Sequence, residues 1–283
     1  RESEPWQTYF DFLAPPLAVE ALDGFTAPYR IIFVAETTRR QFEPLNSRNN
    51  FSVIHNGLNM ARFQGVLEAG SRQEARRQLD VSDPDFVILL LGTVCERKGQ
   101  LDLIQACAHL PPESWSRLRV FIVGDRPSDY SLRLHRAHEA LAPALRERIR
   151  IIPEVGQPAR YYAAADCFVC TSRIESYPRV ILEAMAFELP IISAPTYGVI
   201  EQVREGINAD FYPAGQPRLL AERLQTLMDD PERLARYRRN APLVLRSLTQ
   251  FDEMAAAYAQ LFEEAAESSE QQKAVSESGP AGE

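Results

Sequence analysis

The stretch DCFVCTSRIESYPRVILEAMAFELPIISA, residues 166–194, changes character twice. DCFVCTS (166–172) and LPIISA (189–194) are short, mostly apolar and continuous rather than alternating, the pattern of strands covered on both faces. Between them RIESYP (173–178) reads as a loop. The run after it reads as a helix, started by a proline at 178 that suits a first helical turn. One carboxylate interrupts this helix: from Val180 to Phe187 every residue is apolar except Glu183. An acid in such a run is costly unless something hydrogen-bonds to it. On these residues alone, the surface preference of glutamate favours a narrow polar face that reaches water.

The same strand pattern recurs in FVILLLG (86–92), RVFIVGD (119–125) and RIRIIP (148–153). Helical spacing of apolar residues fills the intervals, in GQLDLIQACAHL (99–110), SLRLHRAHEALAPAL (131–145) and QPARYYAAA (157–165). Strand alternating with helix predicts an α/β fold: a Rossmann-like parallel sheet with helices on both faces.

This pattern is expected over residues 61–248. Residues 1–60 are a different piece, in which RIIFVAETTRRQFEPL looks like a strand running into a helix and FSVIHNGLN like a strand closing on an Asn-Gly turn. They are too small to build a sheet alone. With the opening RESEPW and no initiator Met, the expectation is a fragment whose first 60 residues are the remnant of an N-terminal domain and its link. Residues 249–267 place Phe251, Met254, Tyr258, Leu261 and Ala265 on one helical face. Residues 268–283 lack apolar periodicity and are expected to be disordered.

Bulk properties exclude several classes. Of 283 residues, 45% are hydrophobic and 25% charged, an ordinary globular balance. A net charge of -8 gives no general basic field, so nucleic acid is not an expected partner and any phosphate must be held by a local cluster. Four cysteines, at 95, 107, 167 and 170, fit a reducing compartment and a cytoplasmic location, with peripheral membrane association kept as an alternative. The longest apolar run, FVILLL, is far too short to span a bilayer. Cys167 and Cys170 have C-x-x-C spacing but lie on a strand facing opposite sides, so a metal or redox role is not expected. Asp83 and Asp85 precede a strand, the wrong edge of the sheet for a metal, and read as a turn. His135 and His138 read as surface histidines, and RYRRN (236–240) as a solvated helix face.

In an open parallel sheet, ligands bind beyond the carboxyl ends of the strands, where helix N-termini offer free N–H groups. After FVILLLG comes TVCERKGQ, which sets Arg97 and Lys98 beside Gly99 in a strand-to-helix loop. Two cations, a flexible loop and a helix N-terminus suit a diphosphate; an exposed basic pair is the equal alternative on spacing alone. Neither a P-loop nor a G-x-G-x-x-G fingerprint is present. In the opening stretch Glu175 stands at a helix mouth, with Glu183 about 7 Å further along the axis. Two acids bracketing a helix N-terminus suit a ligand with hydroxyls at both ends and an anion between, seated near Arg179 and Val180.

These residues resemble a known family. VIHNGLN, GTVCERKGQLDLIQA, FIVGD, ESYPRVILEAMAFELPIISAPTYGVIEQV and REGINADFYPAG follow in the order found in the C-terminal, donor-binding half of retaining GT-B glycosyltransferases, the family called glycosyltransferase group 1 or family 4. An E-x(7)-E pattern followed by EAMA and preceded by an R-K-G loop is specific to it. The resemblance implies transfer of a sugar from a nucleoside diphosphate sugar to an acceptor hydroxyl, without metal or other cofactor. It assigns Glu183 to the ribose hydroxyls and Glu175 to the transferred sugar near its anomeric carbon. Lys98, with Arg97, would hold the diphosphate and stabilise the leaving nucleotide, so Glu175 and Lys98 are the catalytic candidates. Gly92 and Thr93 would begin the phosphate loop, backbone N–H groups of Ser176, Tyr177 and Val180 would assist, and Val155 would border the base. Two positions depart from the common pattern: Thr93 follows Gly92 where arginine is frequent, which leaves Arg97 to supply a cation, and Ser176 stands where glycine is common. The acceptor, whether sugar, lipid or protein, is left open and would involve the missing N-terminal domain. Two other functions compete, a catalytically silent nucleotide-sugar-binding module and, less well matched by the motif, a nucleotide-sugar epimerase or hydrolase.

Overall fold

Residues 30–46, 48–66 and 71–277 are described by a computed structural model, and they fall into two units. In the first, strand β1 (Ile31–Phe33) pairs in parallel with β2 (Phe51–Val53), and helix α1 (Glu36–Gln41) connects them. Phe33, Phe42 and Phe51 form its small core, the ring of Phe33 lying 5.3 Å from that of Phe42 and 5.0 Å from that of Phe51.

The second unit, Leu58–Leu248, carries the sheet. Helix α2 (Ser71–Gln78) leads into β3 (Phe86–Leu91), α3 (Gln100–His109), β4 (Leu118–Asp125), α4 (Asp129–Glu139) and β5 (Ile149–Pro153). Then follow α5 (Ala159–Ala164), β6 (Cys167–Cys170), α6 (Arg179–Ala186), β7 (Ile191–Ser193), β8 (Ala209–Phe211), α7 (Pro217–Asp229) and α8 (Pro231–Arg246). All six strands are parallel, in the order β5-β4-β3-β6-β7-β8. The predicted fold class is therefore observed. FVILLL is apolar throughout because both faces of β3 are covered. Ile88 and Leu90 pack in the cluster built with Leu103 and Ile104 of α3, Leu134 of α4 and Leu224 of α7. On the opposite face Phe121 meets Tyr161 of α5 at 5.6 Å between ring centres.

The chain winds outward from β3 to β5, then crosses back to β6 and winds the other way. That reversal opens a crevice beyond the carboxyl ends of β3 and β6, the place where such sheets bind ligands.

Several sequence expectations change. β8 was not anticipated, because ADF is too short to show a pattern. The division between the two units falls at Gly57/Leu58 and again at Leu248/Thr249. The last helix, α9 (Phe251–Glu277), belongs to the first unit and runs past Ser268, where disorder was expected. Its later residues are rich in Glu, Ala and Gln, which prolong a helix already nucleated without needing an apolar face. Within that unit the Gly57 N–H donates to the Met254 sulfur at 3.2 Å. The expected remnant before residue 30 and the last six residues of the expected tail lie outside the described residues. RYRRN is not simply a solvated face: Tyr237 is buried, its hydroxyl donating to Asp210 at 2.8 Å, and Arg238 turns to Asp166.

Candidate functional site

Two loops meet in the crevice. The first leaves β3 at Gly92 and is laced to the end of β4: the Gly92 N–H donates to Val123 O and the Val94 N–H to Gly124 O, both at 2.9 Å. Gly124 has φ +118, and a Cβ there would stand 2.4 Å from Gly92 O, so the strand end admits only glycine. From the first turn of α3, Gln100 reaches back fully buried. Its Nε2 donates to Thr93 O at 3.0 Å and its Oε1 accepts from the Cys95 N–H at 3.3 Å. This carboxamide holds the turn through 92–95 open at a fixed width.

The second loop leaves β6 and is zipped to the first. Thr171 Oγ1 donates to Lys98 O and the Arg173 N–H to Arg97 O, each at 2.7 Å. Gly99, with φ +65, lets the two backbones approach; its Cβ would lie 2.5 Å from Thr171 O. Arg173 then forks onto Asp102 of α3 at 2.6 and 2.7 Å, and Asp102 also accepts the Gly215 N–H. The hydrogen bonds to Asp102 outweigh burial and hold the Arg173 guanidinium above its ordinary pKa. It stays a permanent cation, and the loop carrying Glu175 is pinned to the helix that follows Lys98.

The predicted charges converge on one atom. Glu175, only 6% exposed, accepts at Oε1 from Ser172 Oγ at 2.8 Å, from Arg97 at 3.1 Å and from the Lys98 ammonium. Arg97 also donates to Ile174 O at 3.0 Å. The Lys98 chain crosses over Gly92, where a Cβ would come 3.5 Å from its Cε. Gly92, Arg97, Lys98 and Glu175 are thus brought together. Thr93 is exposed at the turn of the same loop and carries no charge, so Arg97 is the second cation of the crevice.

Behind this group, Pro178 caps α6. Ser176 is half-buried, and Tyr177 is buried, its hydroxyl pushed up to about 12 by burial and by the charge of Glu201. Val180 lies in the first turn. Glu183, one further turn along, is half-buried and does not face open solvent. Its Oε2 accepts at 2.8 Å from the hydroxyl of Tyr162, a fully buried residue of α5 that the sequence reading did not single out. Burial, then the adjacent Glu183, raises the Tyr162 pKa well above the ordinary value, so the phenol remains a donor. Val155 is half-buried beyond β5, two strands from β3, and no hydrogen bond among the described residues ties it to the others.

The decoys resolve as structure. Asp85 is buried and closes its turn by accepting the Ser82 N–H. His135 bonds Asp125 at 2.8 Å, and Cys167 and Cys170 are buried and free. Among the described residues no group of three His, Cys, Asp or Glu side chains is placed to hold a metal ion.

Residues 71–244, more than half of the chain, match the sequence profile of glycosyl transferases group 1. The chain belongs to this family. A D-inositol 3-phosphate glycosyltransferase of Geodermatophilus obscurus is 32% identical over 226 residues, which cover 77% of this chain and 49% of that protein. One from Thermobispora bispora is 33% identical over 65% of this chain and 44% of its own length. This group 1 chain therefore spans about half the length of the curated relatives it matches. Among solved structures it superposes on Anabaena HepE in complex with UDP-glucose with a TM-score of 0.75 and 25% identity, covering 83% of this chain and 64% of that one. Sucrose-phosphate synthase from Thermosynechococcus elongatus, at 20% identity over 94% of this chain and 67% of its own, shares the fold with a TM-score of 0.76. These neighbours are GT-B glycosyltransferases. No helix among the described residues is long and apolar enough to cross a membrane.

Proposed function

We propose that this chain is the donor-binding half of a retaining glycosyltransferase that takes a sugar from a nucleoside diphosphate sugar and passes it to an acceptor hydroxyl. The observation that carries the reading is the meeting of Lys98, Arg97 and Glu175 at the sheet's switch point, with Glu183 one helix turn behind. Two cations against one buried acid leave a net positive charge beside the N-terminus of α6, where a diphosphate is favoured. The ammonium and guanidinium would move from Glu175 onto the phosphate oxygens, stabilising the charge that develops as the sugar–phosphate bond breaks. Glu175, released from them, would accept hydroxyl donors of the transferred sugar. Glu183 would take the ribose hydroxyls, and the loop at Val155 would border the base. With Lys98, Arg97 and helix N–H groups carrying the phosphate charge, the reading requires no metal. UDP is the first base to try, because HepE was solved with UDP-glucose.

Calorimetric titration of UDP, GDP and ADP and their glucose or mannose conjugates tests the donor site directly. We expect binding of one base in preference to the others, unchanged by EDTA. Absence of binding by all of them overturns the reading. A second reading, a nucleotide-sugar-binding module without transfer, is favoured by the half-length match to the relatives. Donor turnover that rises on adding an acceptor separates the two.

A further inference from the structure

Tyr162 sits where a phenylalanine would pack equally well. Its ring is stacked between Phe168 of β6, 5.9 Å away at 29°, and Phe187 at the end of α6, 5.4 Å away at 16°. Phe63 closes the stack edge-on against Phe187 at 5.3 Å. Tyr162 is completely buried in this aromatic wall, and a phenol oxygen there costs free energy unless it is used. It is used on one side chain, Glu183, at 2.8 Å, with Val180 O at the limit of reach, 3.5 Å. A carboxylate on a helix otherwise apolar on that stretch has several rotamers, and the bond from a ring that cannot move selects one of them. The phenol donates to one oxygen and leaves the carboxylate charged, since Tyr162 itself resists ionisation.

Resting on the donor-site reading above, we propose that Tyr162 is a positioning residue that fixes the Glu183 carboxylate for the ribose hydroxyls, so that preference for a ribonucleotide over its 2′-deoxy counterpart depends on the tyrosine hydroxyl. The aromatic stack supplies rigidity, and the hydroxyl transmits it to the acid. Tyr162 touches no substrate and acts through Glu183 alone.

The test compares the ribonucleoside diphosphate bound most tightly among UDP, GDP and ADP with its 2′-deoxy form, by calorimetry on the whole chain. For Tyr162→Phe we expect the ribonucleotide to bind about five- to tenfold more weakly, as for loss of a hydrogen bond to a charged group, and the deoxynucleotide to change by less than about twofold. Glu183→Ala should remove the preference by itself, and adding Tyr162→Phe to it should cost nothing further. Equal weakening of both nucleotides by Tyr162→Phe, or no weakening of either, overturns the inference while leaving the donor site standing. If the wild-type chain binds no nucleotide, the functional reading fails and the inference with it. Should Tyr162→Phe not fold, Glu183→Gln keeps the ring stack and must show the same selective loss; a retained preference refutes the proposal.

Discussion

The two ends of strand β6 each present a buried acid ringed by cations, and they use it in opposite ways. At the amino end Asp166 accepts from Arg72 at 2.6 Å, Arg76 at 3.2 Å and Arg238 at 3.5 Å, and from the Val87 N–H at 2.9 Å. The guanidinium groups spend their other donors on backbone: Arg72 on Ala163 O and Ala165 O, Arg76 on Ala164 O, Ser82 O and Asp85 O. They cap the end of α5 and close the approach to β3, and every polar contact serves the fold. At the carboxyl end all three side-chain donors crowd one oxygen of Glu175, and the Lys98 ammonium, with three donors to give, has that single partner among the described residues. A cluster that satisfies itself stabilises; a cluster with donors left over can also bind.

Replacing the two acids breaks or confirms this contrast with the largest effect. Asp166→Asn leaves Arg76 buried and short of a counter-charge, and removal of one partner from a buried ion pair costs about 3–5 kcal/mol. We expect the melting temperature to fall by roughly 10 °C with nucleotide affinity retained. Glu175→Gln keeps an acceptor for the hydroxyl of Ser172 and leaves Arg97 and Lys98, 31% and 15% exposed, nearer to water than Arg76 at 6%, so its cost should be smaller, about 1–2 kcal/mol, while the proposed sugar transfer falls steeply. Equal destabilisation by the two substitutions in chemical denaturation would remove the distinction between the ends of the strand.

Lys98→Ala sharpens it next. Loss of one charge-assisted bond to a diphosphate weakens nucleotide binding by about 10- to 100-fold, with little change in melting temperature. Arg97→Ala should act in the same direction, because Thr93 offers no charge in its place. Unaltered affinity in both variants would show that the cations serve only Glu175. Gly99→Ala comes third and should affect both properties, since φ +65 and the 2.5 Å approach of Thr171 O force the two loops apart. Stability measured by denaturant should drop by about 1–2 kcal/mol, and affinity should drop with it.

What could be read without coordinates follows from range. FVILLL and the RIESYP-to-helix transition are local patterns, so the strands of the switch point and the charged loops beyond them were legible, and the E-x(7)-E spacing placed both acids. Gln100, Asp102, Arg173 and Tyr162 were not, because each acts across a distance in sequence that no periodicity encodes. Arg173 is a loop arginine until the fold brings Asp102 beneath it. Tyr162 is one of two adjacent tyrosines in QPARYYAAA, and only the packing shows that one meets Phe121 and the other Glu183. RYRRN on α8 reads as a solvated face for the same reason, since Asp166 stands 72 residues away from Arg238.

The smallest expected effect concerns a third acid at the same edge as Glu175. Asp125 ends β4, and its carboxylate accepts from Ser131 Oγ at 2.7 Å and bonds His135 at 2.8 Å, both on α4. Burial works to raise its pKa, but the bonds from His135 and Ser131 prevail and hold it below the ordinary 3.8. A depressed carboxylate contributes stability that is present above its unfolded value and lost as pH falls through the folded one. Below about pH 4 the wild type should therefore lose stability faster than Asp125→Asn, which has no proton to take up. Parallel melting curves of the two proteins between pH 5 and 3 would mean that the pair contributes nothing. Because Asp125 is answered within its own strand–helix unit, nucleotide affinity at pH 7 should stay the same in this variant, which sets it with Asp166 although it lies on the side of Glu175.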